Sequence, residues 1–471
     1  MSISLQDEVR GAALGDKRLT KRLGNIIEQL GAKPNMSVPA ATDGRAEMEA
    51  AYRFFDNDRV SPERILQPHF EATRERILQS EVALLVQDTT DLDLTRPQQQ
   101  VRGAGPMEYD SRRGAFFHPL LAFDSHGLPL GVAWQKVWTR KTIKKNFTKN
   151  QSDQWLRKTP IEKKESFRWI EGMRAARDVA KACPQTTCVC IADSDADVYE
   201  LFCEPRTASQ GEIHFLVRAC HTRNASGPHL NWLDAARAAK RLFQFSVNVR
   251  PRKAKLVTET RKRQSTRGAR LAEVEVRAAP VTVRPPYRRG RRLPEVALNV
   301  VLVEEPTPPK SATAIQWLLV TTLPIDDVEH VRQIISYYSI RWQIEIYFRT
   351  LKSGCRIEDR QFETLGRILN CLAVYSIIAW KVMYASRLGR VCPDLNCEVI
   401  FEPSEWKSVY MTVRKEEPPP NPPPLNEMVR MIASLGGYVI RKSTQPGTQT
   451  LWYGLQRVHD LSTAWQTFGP D

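Results

Sequence analysis

The feature that most restricts the fold is a series of short apolar segments beyond about Gln67, each of the length of one β-strand. Helical patterns separate these segments, and the clearest helical pattern covers residues 167–182. This alternation predicts a mixed α/β core. The strand-like segments are 82–86, 116–123, 188–192 and 215–217.

The length of the chain predicts more than one folding unit, because 471 residues exceed what a single hydrophobic core usually organises. Apolar residues at helical spacing predict a small helical unit over residues 1–67. The Pro-rich run 417–424 cannot hold a regular helix or a central strand, so it predicts a stiff linker. We therefore expect an α/β unit at 68–391, and the linker with a C-terminal helical unit at 392–471.

Positive charge is concentrated in one part of the α/β unit. The chain has 69 Lys and Arg against 53 Asp and Glu, a net charge of +16, and residues 250–292 contain 15 of those basic residues against three acids. Segments 271–276 and 296–300 alternate as strands do, so we expect a basic β insertion at about 225–316. This excess suits nucleic acid as a partner, although a basic protein without such a partner is the alternative.

Two of the predicted strands end in an aspartate, Asp88 after residues 82–87 and Asp193 after residues 188–192. Strands that stop at one edge of a sheet bring such side chains together, and open α/β sheets place their sites there. The alternative is that each aspartate only opens a turn or caps a helix. Neighbouring acids compete with these two for the same role; they are Asp91, Asp93, Asp195 and Asp197.

A third chemical element is the segment 338–352, which has a helical pattern. At about 100° per residue, Tyr338, Arg341, Glu345 and Lys352 fall within about 60° of one another on a helix. The apolar residues Ile340, Ile344, Tyr347 and Leu351 lie away from this stripe and are expected to be buried. The alternative is an ordinary solvated helix face with an Arg341–Glu345 pair.

Three carboxylates suit phosphoryl transfer with hard divalent cations, which prefer oxygen ligands. Arg341 and Lys352 would hold phosphates beside such ions, and Tyr338 could donate a hydrogen bond to one. The sequence therefore suggests a metal-dependent enzyme that acts on phosphodiesters.

These residues resemble the DDE transposases of the insertion-sequence-four type, the Tn5-like group. The spacing Y-(2)-R-(3)-E-(6)-K fits Tyr338, Arg341, Glu345 and Lys352 without a gap. The matching segments, in chain order, are 13–18 with Arg22, 49–54, 87–90, Arg113-Gly114 with His118, 165–169, 192–197, Val217-Arg218 with Arg223, 317–321 and 435–438.

The resemblance implies a ribonuclease-H-like catalytic core with a β insertion, between an N-terminal helical end-recognition domain and a C-terminal helical dimerisation domain. It selects Asp88, Asp193 and Glu345 as the metal-binding catalytic carboxylates, with Mg²⁺ as the cofactor and Mn²⁺ as a substitute. It also implies that Trp317 stacks on an extruded nucleotide, for which a buried core tryptophan is the alternative. The DNA contacts it implies are Tyr338, Arg341, Lys352, Trp317, Arg218, Arg223, Arg18 and Arg22.

The activity implied is cut-and-paste transposition by a homodimer that holds two transposon ends. Each end would be nicked to free a 3′-hydroxyl, which forms a hairpin that water opens, and the 3′ ends then join target DNA. The expected partners are double-stranded DNA, as terminal repeats and as target, and a second copy of the chain. Two rivals are a related nuclease that does not transpose and a DNA-binding inhibitor without catalysis.

The resemblance weakens over residues 140–158, in the insertion and over 394–425, so the DNA ends recognised do not carry over. The basic loop 140–158 would either extend the DNA contact or be a solvated loop. The apolar run 371–380 is too short to span a bilayer and is expected to be a buried helix. Nine cysteines without a CxxC pair favour a reducing cytosol, so we expect a cytoplasmic bacterial protein without a membrane partner.

Overall fold

The computed structural model describes residues 4–108, 111–141, 158–205, 212–251, 255–257, 262–264, 268–288, 292–310, 312–441 and 444–469. The chain divides into two compact units. The first unit comprises Met1–Asn146, Asp178–Cys188 and Trp342–Asp471, and the second comprises Phe147–Arg177 and Val189–Arg341.

Four helices open the first unit, as the periodicity predicts: α1 (Lys17–Ala32), α2 (Val38–Ala41), α3 (Arg45–Phe55) and α4 (Pro62–Leu78). Asp16 begins α1 by accepting the N–H of Arg18 at 2.8 Å, and Ser61 caps α4 in the same manner through Arg64. Helix α1 buries one apolar face and leaves its basic side chains largely exposed.

The sheet of the first unit is built around one long strand. Strand β4 (Arg113–Asp124) pairs antiparallel with each of the four other strands described for this unit, β1 (Val82–Gln87), β2 (Thr90–Asp93), β3 (Gly105–Pro106) and β5 (Pro129–Trp138). In the pairing with β1, Ala83 lies opposite Asp124 and Gln87 opposite Leu120, and residues 83–87 are buried.

Helix α5 (Phe167–Ala182) and strand β6 (Thr187–Ala192) confirm the elements predicted for those segments. In the second unit, β6 pairs parallel with β7 (His214–Arg218), and Ala192 lies opposite Val217. The order continues with β14 (Gln316–Thr321), β13 (Val296–Glu304) and β12 (Arg270–Val283). Strands β8 (Ala225–Ser226) and β9 (Arg241–Val249) both pair with β12.

These strands confirm that the basic segment contains β structure, including the antiparallel pair β10 (Lys255–Val257) and β11 (Lys262–Gln264). Among the described residues, three further helices belong to the second unit: α6 (Tyr199–Phe202), α7 (Trp232–Ala238) and α8 (Val328–Ile340). Several of the basic residues counted above, among them Arg252, Arg261 and Arg289, lie outside the described residues.

In the first unit the chain continues with α9 (Gln343–Arg349) and a π-helical turn (Thr350–Gly354), and then with α10 (Leu365–Val391). Helix α10 has the length and apolar content of a membrane span, but 83% of its most apolar window is buried inside the structure. Trp380 donates to Pro129 O at 2.7 Å, and Asn370 donates to Phe55 O at 3.0 Å. Residues 371–380 thus form the buried helix that was predicted.

Three C-terminal helices, α11 (Pro403–Arg414), α12 (Leu425–Leu435) and α13 (Thr448–Phe468), share an apolar cluster that includes Trp406, Met428 and Leu451. The Pro-rich run between α11 and α12 has neither helix nor strand, as predicted, and only Pro424 forms an isolated bridge, to Asn396. The α/β class with helical N- and C-terminal parts is therefore confirmed.

Candidate active site and DNA interface

Asp88 follows β1 in a loop that a buried polar chain holds in place. Its Oδ1 accepts the N–H of Thr89 at 2.7 Å, and the Thr89 hydroxyl lies 2.8 Å from Nδ1 of His118. On the other ring side, His118 Nε2 lies 3.0 Å from Gln87 Oε1, and both of these side chains are buried. In the sequence, His118 is only one of the residues that match the family, and the structure gives it the role of fixing the Asp88 loop.

The two acids that compete with Asp88 are engaged in ion pairs. The guanidinium of Arg112 lies 3.3 Å from Asp91 Oδ2 and 3.0 Å from Asp93 Oδ2, and Thr95 also donates to Asp93. Burial alone would raise the pKa of both carboxyls, but hydrogen bonds and charges lower it, chiefly from Lys352 at Asp91 and from Thr95 and Arg112 at Asp93. Arg112 could not have been assigned to this role from the sequence, because it lies about twenty residues away.

Asp193 follows β6 and begins a short 3₁₀ turn, Ser194–Ala196, where its Oδ1 accepts the N–H of Asp195 at 2.9 Å. Burial raises the pKa of the Asp193 carboxyl, and the charges of Arg341 and Arg168 only partly oppose this shift. A half-buried carboxylate with incomplete charge compensation is suited to a cationic ligand.

Asp197, in contrast, has both of its carboxylate oxygens engaged in hydrogen bonds. Its carboxylate accepts the N–H groups of Cys220 and His221 at 2.8 and 2.9 Å and also pairs with Arg223. Possible metal-ligand atoms of Asp197, Cys220 and His221 lie within 4.8 Å of one another. However, both oxygens of the Asp197 carboxylate are already engaged by these N–H groups and by Arg223, so the cluster has little capacity left for a cation.

The position of the Arg223 side chain does not fit the DNA contact predicted for this residue. Its side chain is only 10% exposed and pairs with the buried carboxylate of Asp197. The guanidinium carbon lies 5.4–5.6 Å from the ring centroids of Tyr199, Phe202 and Trp232. An arginine enclosed in this way stabilises the loop after β7 and is not available to a phosphate.

The remaining residues predicted in the second unit are more accessible. Tyr338 lies near the end of α8, where burial raises the pKa of its hydroxyl and the charges of Arg341 and Arg218 oppose the shift. Arg218 ends β7 and donates to Gln316 O at 3.3 Å. Trp317 lies on β14 opposite Val303 and is only half-buried, so part of its ring is accessible, unlike that of a fully buried core tryptophan.

The prediction of one continuous helix over 338–352 is wrong. Helix α8 ends at Ile340, α9 begins at Gln343, and Lys352 lies in the π-helical turn. At the break the N–H of Arg341 donates to Tyr338 O, three residues back, instead of the i−4 carbonyl of an α-helix. Ile344 and the other three apolar residues are buried as expected, but the four polar residues do not lie on one uninterrupted helix.

Glu345 lies in the first turn of α9 and is half-buried. Lys352 is held by three oxygens: its Nζ lies 2.9 Å from Asp91 O, 3.0 Å from Asp91 Oδ1 and 3.1 Å from Glu358 Oε1. Burial would lower the pKa of Lys352, but Glu358 and Asp91 outweigh it and raise the pKa above its usual value. The part played by Glu358 had no signal in the sequence.

A basic cavity of about 320 Å³ lies between the start of α1 and the end of α3. The predicted residues Arg18 and Arg22 line it, with Arg53 and Arg59, which were not predicted as DNA contacts. Arg18 is 91% exposed, and its only acidic neighbour in this lining is Asp16. Of the basic loop 140–158, Lys144, Lys145 and Lys149 lie outside the described residues.

Three protein-family models match the chain in succession. Residues 2–60 match a transposase DNA-binding domain, residues 171–379 a transposase DDE domain, and residues 377–464 the Tn5 transposase dimerisation domain. Together they account for the helical N-terminal part, most of the α/β part and the C-terminal helices.

Among solved structures, the chain is similar to a cryo-EM structure of the piggyBac transposase synaptic complex with hairpin DNA. The TM-score is 0.37 and the identity 11%, over 80% of this chain and 67% of that chain. This similarity is too low to carry a functional argument.

Proposed function

This chain is a metal-dependent DDE transposase that resembles the Tn5 transposase, and on that premise we propose that Asp88, Asp193 and Glu345 are its catalytic carboxylates. The observation that supports this choice is the engagement of their acidic neighbours. Of the four competing acids, Asp91, Asp93 and Asp197 are each paired with an arginine and Asp195 is exposed, which supports the choice of the acids that directly follow β1 and β6. The carboxylates would hold Mg²⁺, or Mn²⁺ in its place, and an ion held there lowers the pKa of water or of a 3′-hydroxyl and stabilises the leaving oxygen.

Two cationic residues, Arg341 and Lys352, would hold the phosphates of the DNA strand. Arg341 carries a fixed charge beside Asp193, and Tyr338 can donate a hydrogen bond to a phosphate oxygen. The Arg18–Arg22 cavity in the DNA-binding part would contact the backbone of the terminal repeat. In this scheme Trp317 stacks on the nucleotide that a tight hairpin forces out of the duplex.

The proposed sequence of steps is a nick at each transposon end, hairpin formation by the freed 3′-hydroxyl, opening of the hairpin by water and joining to target DNA. Two copies of the chain, paired through the dimerisation domain, would hold both ends. The reaction would take place on DNA in the bacterial cytoplasm.

The proposal is tested with linear DNA that carries the element's own terminal repeats and flanking sequence, incubated with Mg²⁺ and separated by denaturing electrophoresis. Transposon-end fragments that migrate as hairpins are expected, with the flanking DNA released as linear duplex. Asp88→Asn, Asp193→Asn or Glu345→Gln should lower cleavage by at least roughly 1,000-fold, since the carboxylates hold the charge that phosphodiester cleavage needs.

Asp195→Asn is the matched control, because Asp195 is an exposed acid two residues from Asp193. It should change cleavage by less than about threefold. DNA binding without metal should persist in all four variants. Unchanged cleavage in the Asp88 or Glu345 variant, with binding intact, would mean that the site is wrong.

A further inference from the structure

The ammonium of Lys352 has no donor to spare for a phosphate. A lysine has three N–H donors, and three oxygens lie within hydrogen-bonding distance of this one: Asp91 O, Asp91 Oδ1 and Glu358 Oε1, at 2.9, 3.0 and 3.1 Å. A phosphate contact by Lys352, as the proposed function requires, therefore needs one of these oxygens to leave.

Glu358 is the more firmly fixed of the two acids. Its Oε1 also accepts the N–H of Asp93 at 2.8 Å, so the carboxylate is tied to the backbone of β2. The main-chain oxygen of Glu358 accepts from Arg96 at 2.8 Å, which holds the segment after the π-helical turn. If Glu358 released Lys352, the Glu358 carboxylate would keep one hydrogen-bond donor, the uncharged N–H of Asp93. This carboxylate is only 23% exposed, so water would not readily replace the lost ammonium.

Asp91 can release Lys352 at a lower free-energy cost than Glu358 can. It uses Oδ1 for Lys352, whereas Oδ2 lies 3.3 Å from Arg112, so the carboxylate keeps a cationic partner when Lys352 leaves. The Asp91 side chain is 39% exposed and that of Lys352 is 25% exposed, so an incoming anion can reach the pair from solvent.

We propose that Asp91 occupies, on Lys352, the place that a DNA backbone phosphate takes in the loaded complex. The inference rests on the proposed function of Lys352 and adds a positioning residue to it. Asp91 keeps the ammonium oriented before DNA arrives, Glu358 keeps its hold throughout, and the phosphate exchanges with the Asp91 carboxylate. The π-helical turn that carries Lys352 is a departure from regular helix of the kind often found at functional sites.

The test is a double-mutant cycle on duplex binding, with DNA that carries the terminal repeat, in EDTA, over a range of salt concentrations. Asp91→Asn should tighten binding roughly three- to tenfold, because no partly exposed ion pair is then broken. Lys352→Met should weaken binding and make the slope of log K against log salt smaller by about 0.9, the value for one phosphate. In the Lys352→Met background, Asp91→Asn should change binding by less than about 1.5-fold.

Asp359→Asn is the matched control, because Asp359 lies beside Glu358 and pairs with Arg356 instead of Lys352. It should leave the affinity within about twofold of wild type. Asp91→Ser is the second variant if Asp91→Asn does not fold, and the same tightening is expected.

Equal tightening with and without Lys352 would show general relief of negative charge and would overturn the inference. So would unchanged or weaker binding in a folded Asp91 variant. Since the cycle is read from binding alone, absence of cleavage by the wild-type protein with any divalent ion would contradict the proposed function separately.

Discussion

Trp317 is placed by its strand so that part of its indole remains accessible. It is the second residue of β14 and lies opposite Val303, whereas Leu318 to Thr321 after it are buried. A large aromatic ring at the exposed start of an otherwise buried strand is a rigid platform on which a base could stack. Arg218, which ends the neighbouring strand β7, donates to the residue before it, Gln316.

Trp317→Ala is expected to slow hairpin formation roughly 10- to 100-fold, the effect of losing one base-stacking contact. The first nick should change by less than about threefold, because the nick does not require an extruded base. Single-turnover time courses on denaturing gels measure both steps. Equal loss at both steps would indicate that the tryptophan only supports the fold.

The choice among neighbouring acids shows which part of the site can be predicted from the sequence and which part depends on the fold. Residue order and the family motif selected Asp88 and Asp193, because strand ends can be read from apolar runs. Asp91 forms ion pairs with Arg112 and Lys352, and Asp197 with Arg223. These partners are distant in the sequence and are brought together only by the fold. For the same reason the sequence predicted a DNA contact for Arg223, which the structure encloses between aromatic rings.

Most elements with a clear period could be predicted, and the helix over 338–352 could not. Helix α5 and strands β1, β6 and β7 match the predicted segments to within one residue at each end. The break after Ile340 left no signal, since Arg341 and Trp342 retain helical dihedral angles and neither is Gly or Pro. A projection at a fixed 100° per residue therefore extended the stripe across a turn and into a π-helical segment.

Helices α12 and α13 approach each other at two glycines. A Cβ atom on Gly454 would lie 1.9 Å from Ile432 O, and one on Gly436 would lie 1.9 Å from Thr450 O. The backbones thus touch where no side chain fits, and this contact forms part of the dimerisation domain.

Gly454→Ala should destabilise α13 by about 2 kcal/mol, because the cost of separating two backbones exceeds the helix propensity gained. Hydrogen exchange of α13 amides should become roughly 30-fold faster. Gly447→Ala is the control, because a Cβ on Gly447 meets nothing within 4 Å and its φ is −75°. Equal exchange in both variants would contradict the close packing.

The first unit joins sequence-distant segments through a buried ionic group near the N-terminus. Glu8 is 2% exposed, and its carboxylate lies 2.5 Å from His69 Nδ1 and 2.8 Å from Arg76 Nη1. His69 Nε2 accepts the N–H of Val132, so Nδ1 carries the proton and the ring is neutral. The Arg76 guanidinium lies 4.5 Å from the ring centroid of Trp380 on α10. The start of the DNA-binding domain is thereby attached to α4, β5 and α10.

This attachment should weaken in acid. Burial alone would raise the pKa of Glu8, but the hydrogen bond from His69 and the hydrogen bonds and charge of Arg76 lower it from 4.5 to about 2. A lowered carboxyl pKa contributes stability that is present above the unfolded value and is lost as pH falls through the folded value. The contribution is about 3 kcal/mol above pH 4.5 and disappears toward pH 2.

The measurement is the difference in unfolding free energy between wild type and Glu8→Gln, from urea titrations at several pH values. The difference should be constant above about pH 5 and shrink by about 3 kcal/mol toward pH 2. Asp7→Asn, at a neighbouring acid that is 42% exposed, should give a small difference throughout. A Glu8 difference that does not change with pH would contradict the ionised pairing.

The position of α10 in the chain also limits the time at which the N-terminal helices can complete their packing. Arg367 on α10 pairs with Asp56, 311 residues earlier, and Asn370 donates to Phe55, 315 residues earlier. A ribosome that adds roughly 5–20 residues per second needs roughly 15–60 seconds to make that stretch. Until then, the surface that α3 and α4 present to α10 is exposed on the nascent chain, so the first unit must finish folding late and is open to aggregation or chaperone binding in the meantime.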